Sequence, residues 1–159
     1  MSEKKKKYLI VTPSISEFLE IIRDFIKKIA SNVGFIEEDV YKIQLSVDEA
    51  CTNVINHAYD EITRSVMRVE VKVDEEKMDV SVIDYGRGFE PNIIKSPNMR
   101  EYLKEYKRGG LGIHLIKKLM DEVKFSDTPF KKNQITMTIY RTPKKKKYNS
   151  RVENGTSTE

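Results

Sequence analysis

Cysteine is nearly absent from this sequence: among 159 residues only Cys51 carries a thiol. That excludes an internal disulfide framework and any zinc cluster built on cysteines. Long apolar runs are missing as well. No stretch approaches the roughly 18 consecutive apolar residues of a membrane helix. The lysines at the start lead into Tyr8-Leu9-Ile10-Val11, too short for the apolar core of a signal peptide. No membrane association is expected, and the cytoplasm is the expected location. No internal repeat is visible, and the length suits one domain with a real hydrophobic core.

Charge is present but unevenly placed. The formal net charge is +4, yet Lys4–Lys7 with Glu3 already give +3, and residues 142–159 give another +3. The intervening residues 8–141 hold 20 basic and 22 acidic side chains and are slightly acidic. The expectation is one domain over 8–141 with solvated, disordered basic tails at 1–7 and 142–159. No direct nucleic-acid contact is expected, because the basicity does not belong to the body.

Tyr8 to Val11 reads as a short strand closed by Pro13. Ser14 or Ser16 can cap a helix in which Phe18, Ile21, Ile22, Phe25, Ile26 and Ile29 recur at helical spacing, ending at Gly34. A second helix starts at Glu37-Glu38-Asp39, acids that suit a helix N-terminus, and buries a stripe through Val40, Ile43, Val47, Ala50, Val54 and Ala58. Met67, Val69, Val71 and Val73 alternate with polar residues, turn at Asp74–Lys77, and return as Met78, Val80, Val82 and Asp84, a β-hairpin. Residues 89–108 show no period and read as a long loop, either a functional lid or disordered. Leu111, Leu115, Ile116 and Leu119 resume helical spacing, and Val123 with Phe125, then Ile135, Met137 and Ile139, give two more strands. Hairpin-linked strands with helices grouped apart predict an α+β two-layer sandwich: one mostly antiparallel sheet with helices on one face.

Three clusters carry candidate chemistry. In the second helix Glu49 and Asn53 stand one turn apart, off the apolar stripe, with His57 a turn further on. A carboxylate there can take a proton while an amide oxygen holds a hard cation. Asp84-Tyr85-Gly86-Arg87-Gly88 follows an apolar strand, so Asp84 can accept from an exocyclic amine while Gly86 and Gly88 allow close ligand approach. Arg108-Gly109-Gly110-Leu111-Gly112 opens a helix, where free N–H groups suit phosphate and Arg108 adds a forked cation. Taken singly, these are also what a solvated helix face, a glycine turn and a hinge look like. Cys51 reads as a small residue near the core, and His57 as a packing or capping residue.

The order of the clusters is more specific than any one of them. Helical Glu-x-x-x-Asn, then Asp-x-Gly-x-Gly, then Gly-Gly-x-Gly resembles the three nucleotide boxes shared by gyrase, heat-shock chaperones, histidine kinases and MutL, a Bergerat-type ATP-binding fold. Asp48-Glu49-Ala50-Cys51-Thr52-Asn53, His57-Ala58-Tyr59, Gly109-Gly110-Leu111-Gly112 and Leu119-Met120-Asp121-Glu122-Val123 resemble the anti-sigma-factor serine kinases of the RsbW and SpoIIAB kind. The resemblance implies ATP and Mg²⁺ as cofactors. It implies Glu49 as the base toward a Ser or Thr hydroxyl, Asn53 as the Mg²⁺ ligand, and Asp84 on the adenine amine with Gly86 and Gly88 nearby. Gly109, Gly110, Leu111 and Gly112 would hold the phosphates with Arg108 at the γ-phosphate. Thr136 falls where the family often helps hold adenine, although Asn133-Gln134 precede it and no glycine does. The implied partners are a sigma factor and a STAS-domain antagonist, with a homodimer as the working form. The alternative is a non-catalytic module whose interactions are gated by nucleotide.

Overall fold

A computed structural model describes residues 4–57, 66–85, 111–128 and 132–141. The described chain runs β1 (Lys6–Pro13), a 3-10 turn at Ser16–Phe18, α1 (Leu19–Asn32), α2 (Glu37–His57), β2 (Val66–Val73), β3 (Lys77–Asp84), α3 (Leu111–Leu119), β4 (Glu122–Thr128) and β5 (Lys132–Tyr140). The five strands form one sheet in the order β1-β2-β3-β5-β4, and every described pairing is antiparallel. This is the α+β two-layer arrangement that the alternation and helical periods imply.

The pleat assigns each side chain to a face. Register sets Val71 opposite Val80, Val80 opposite Met137, and Val69 opposite Val82. These residues share one buried core with Ile22, Ile26 and Ile29 of α1, Ile43, Val47 and Ala50 of α2, and Ile116 of α3. The helices therefore cover that face. The other face carries Arg68, Glu70, Asp79, Ser81, Thr136 and Thr138, bound to one another through ion pairs and hydroxyl hydrogen bonds.

Local signals held unevenly. Gly34 has φ 92, a left-handed conformation that releases the chain from α1 at little cost for a residue without Cβ. The expected serine caps are not formed: α1 follows the 3-10 turn directly, Phe18 stands at its N-cap without a side-chain bond, and the Ser14 hydroxyl is buried with no partner among the described residues. β1 begins at Lys6, so Lys6 and Lys7, expected in a disordered tail, pair with Val73 and Lys72. An edge strand leaves both ammonium groups in solvent, which makes lysine acceptable there. Residues 1–3, the loop at 89–108 and the tail at 142–159 lie outside the described residues.

The sheet has two distinct ends. At one, Arg141 bonds the Val33 and Asp74 carbonyls, tying the α1–α2 connection to the β2–β3 turn. α2 leaves from that end and runs about 31 Å toward the other. α3 runs back the opposite way, since Asp121, just past its end, donates its N–H to Thr138 O. The first turn of α3 consequently lies beside the second half of α2, toward the end where β3 finishes at Asp84.

Candidate functional site

α2 is anchored by Val47, Ala50, Cys51 and Val54, all buried. That fixes the rotation of the helix and turns Glu49 and Asn53 to a half-buried position along one side. What they face is Gly112, the second residue of α3. A methyl carbon built on Gly112 would lie 2.6 Å from Glu49 Oε2, 3.6 Å from Glu49 Cδ and 3.7 Å from Asn53 Nδ2. The carboxylate, the amide and the opening turn of α3 thus converge on one point. The N–H groups of that turn have no partners within the helix and lie at its positive end.

Asp84 closes β3 on the helix-facing side, opposite Met67 on one neighbour and Asn133 on the other. It is 6% exposed. Asn133 Nδ2 donates to Asp84 Oδ1 at 3.2 Å, while Asn133 Oδ1 is buried without a partner among the described residues. A buried carboxylate and a buried amide oxygen are hydrogen-bond acceptors, and both suit a heterocycle presenting N–H donors. Among the described residues no group of three His, Cys, Asp or Glu side chains could hold a metal by itself. The donor set at Glu49 and Asn53 suits instead a hard cation that would take most of its ligands from water and from a bound molecule's oxygens.

The sequence-derived site is therefore brought together in part. Glu49, Asn53 and Gly112 meet, and Asp84 lies on the same face of the sheet as the helices. Leu111 opens α3. Gly86, Gly88, Arg108, Gly109 and Gly110 lie outside the described residues. Thr136 does not join this set. It is opposite Ser81, with the two hydroxyl oxygens 2.8 Å apart, and receives Gln134 Nε2 at 3.0 Å, all on the face away from the helices. The reason is the period of two: Ile135, Met137 and Ile139 face the core, so Thr136 must face outward. On β5 the helix-facing residue opposite Asp84 is Asn133, with Ile135 one row further along, opposite Val82. Sequence reasoning missed Asn133, because only the register of β5 against β3 sets it beside Asp84.

Nearby groups have narrower roles. Arg23 Nε donates to Asp48 Oδ1 at 2.6 Å, and Gln44 Nε2 donates to Arg23 O at 3.1 Å, joining α1 to α2 one residue before Glu49. The hydrogen bond and charge of Asp48 hold the Arg23 guanidinium above its ordinary range. Burial pushes the Cys51 thiol up to about 12, so it is a core group rather than a nucleophile. His57 closes α2, and its side chain lies outside the described residues.

Residues 13–139 match the family model described as the histidine kinase-like ATPase domain. The serine-protein kinase RsbW of Halalkalibacterium halodurans is 33% identical over 122 residues, covering 74% of this chain and 74% of the relative. RsbW of Bacillus velezensis is 32% identical over 117 residues, covering 70% and 72%. Among solved structures, the RsbU and RsbW domains of a Mycobacterium tuberculosis protein superpose with a TM-score of 0.61 at 15% identity, over 84% of this chain and 32% of that one. The SiaB–SiaC complex of Pseudomonas aeruginosa gives a TM-score of 0.61 at 16% identity, over 83% and 88%. At those identities the two structures speak for the fold alone.

Proposed function

The chain belongs to the histidine kinase-like ATPase family and to the serine-protein kinases that its RsbW relatives represent, and from that premise we propose a specific task for it. It is an anti-sigma factor that uses Mg-ATP to phosphorylate a Ser or Thr of a STAS-domain antagonist, and that sequesters a sigma factor as a homodimer. The observation that carries this reading is the convergence of Glu49 and Asn53 on the first turn of α3.

The chemistry follows from those groups. The antagonist's hydroxyl oxygen forms a bond to the γ-phosphorus, the bond to the β-phosphate bridging oxygen breaks, and the hydroxyl proton passes to the Glu49 carboxylate. Little covalent work is asked of the protein, because phosphoryl transfer depends chiefly on positioning and charge neutralisation. Magnesium, when bound with the nucleotide, supplies charge neutralisation at the phosphate oxygens, and Asn53 is the side chain that would hold it. Asp84 receives the adenine amine. Backbone N–H groups of Gly110, Leu111 and Gly112 hold phosphate, with Gly109 permitting the approach, Arg108 at the γ-phosphate, and Gly86 and Gly88 beside the base.

The test is Glu49→Gln, assayed for phosphate transfer to a purified STAS-domain protein and for Mg-ATP binding. Loss of a general base lowers transfer by about 10²–10⁴-fold, while affinity stays within about threefold because the isostere preserves shape. Equal transfer by the two proteins would remove Glu49 from the chemistry and favour a module that is gated by nucleotide without turning it over.

A further inference from the structure

We infer that Gly112 is a positioning residue for Glu49: the absence of a side chain at Gly112 is the space in which the Glu49 carboxylate stands. This rests on the proposed role of Glu49 as the base.

The backbone does not require glycine here. Among the described glycines only Gly34 has a positive φ; Gly112 lies within α3, in a conformation open to any L residue. Inside a helix alanine is the better residue by about 0.5–1 kcal/mol, so local propensity argues against what the sequence has. The neighbours explain it. At Gly112 a Cβ would meet the Glu49 Oε2 oxygen at 2.6 Å, far inside carbon–oxygen contact. The next two atoms, Glu49 Cδ at 3.6 Å and Asn53 Nδ2 at 3.7 Å, are at ordinary contact. Among the described residues one atom alone is in conflict, and it belongs to the carboxylate that would accept the proton.

That atom is also the end of a flexible side chain, so it can move without unfolding anything. A methyl group at Gly112 would displace the carboxylate oxygen by about 0.5–1 Å, restoring normal contact. The N–H groups of the first turn, which would bind phosphate, would stay in place. A role in phosphate approach and a role in holding the base therefore predict different losses. The first predicts weakened nucleotide binding. The second predicts weakened transfer with binding kept, since misplacing a reacting group by about 1 Å costs up to about 10²-fold.

The experiment compares four full-length proteins: wild type, Gly112→Ala, Glu49→Asp and the double variant. Aspartate is shorter by one methylene, which draws the oxygen out of the space that the new methyl would enter. Expected for Gly112→Ala are a Tm unchanged or raised, Mg-ATP affinity within threefold of wild type, and transfer to the STAS-domain protein lowered about 10–100-fold. In the Glu49→Asp background the same substitution should change transfer less than about threefold, the coupling expected of residues in contact. Without nucleotide, the side-chain carboxyl ¹³C resonance of Glu49, assigned by its loss in Glu49→Gln, should shift in Gly112→Ala. A lowered Tm, an equal penalty in both backgrounds, a tenfold loss of affinity with transfer kept, or an unmoved resonance would each overturn the inference. If wild type neither bound Mg-ATP nor transferred phosphate, the proposed function would fail, and the resonance and Tm would still decide the contact.

Discussion

Where β2 turns into β3, Arg141 and Asp74 are bound to backbone groups of the neighbouring segments; where β3 ends at Asp84, three buried polar atoms have no partner among the described residues. At the first end Arg141 donates Nη1 to Val33 O at 2.6 Å, and both Nε and Nη2 to Asp74 O at 3.3 Å, with its guanidinium 4.7 Å from the centre of the Phe35 ring. Asp74 Oδ1 receives the N–H groups of Glu76 and Lys77 at 2.8 and 2.9 Å. At the other end the buried hydroxyls of Thr12 and Ser14 and the Asn133 Oδ1 are without partners among the described residues. Each such group costs roughly 1–3 kcal/mol if nothing satisfies it. The same sheet thus has one end that ties helices to strands and another where buried polar atoms lack partners among the described residues, beside the start of α3. Under the proposed function, nucleotide binding and stability draw on different ends of one scaffold.

That division can be tested end by end. Removing the Asp84 carboxylate with Asp84→Ala should weaken Mg-ATP binding about 10–100-fold by calorimetry, the worth of a hydrogen bond to a charged group. Removing the staple with Arg141→Ala should lower stability by about 1–3 kcal/mol in denaturant titration, through lost helix-end and turn contacts. The same protein should keep Mg-ATP affinity within twofold. If Arg141→Ala weakened nucleotide as much as Asp84→Ala, the two ends would not be separable.

The turn adds a pH signature. Burial alone would raise the Asp74 carboxyl, but the backbone N–H groups of Glu76 and Lys77, with the Lys77 charge, outweigh it and hold the carboxyl below its usual range. A depressed folded value stabilises the protein above the unfolded value of about 3.9, and that stability is lost as pH falls through the folded value. Asp74→Ala should cost about 1 kcal/mol at neutral pH, and the difference from wild type should vanish on acidification below that range. The smallest effect is expected from Thr136→Ala. It should change Mg-ATP affinity less than about twofold and cost under about 1 kcal/mol in stability, because its hydroxyl bonds Ser81 and Gln134 on the outer face.

The sequence made the elements legible where periodicity is strong. The hairpin, the apolar stripe of α2 and the alternation of β5 can be read directly, and the spacing of Glu49 and Asn53 already sets them on one side of a helix. What sequence could not supply was long-range register. Asn133 reaches Asp84 only through the pairing of β5 with β3. Arg141 meets Val33 across 108 positions, which no local pattern announces. Thr136 is a different case: the alternation of Ile135, Met137 and Ile139 already turned it outward, and a positional resemblance outweighed that physical signal. Gly112 reads as one glycine of a phosphate motif until the side chain opposite it is known.

The most direct measurement is a calorimetric titration of Mg-ATP into the intact chain and into Glu49→Gln, run beside phosphate transfer by the same two proteins. Expected are saturable binding to both, with affinities within about threefold, and transfer by Glu49→Gln lowered about 10²–10⁴-fold. No heat of association with the wild-type chain, or undiminished transfer by Glu49→Gln, would contradict the proposed function.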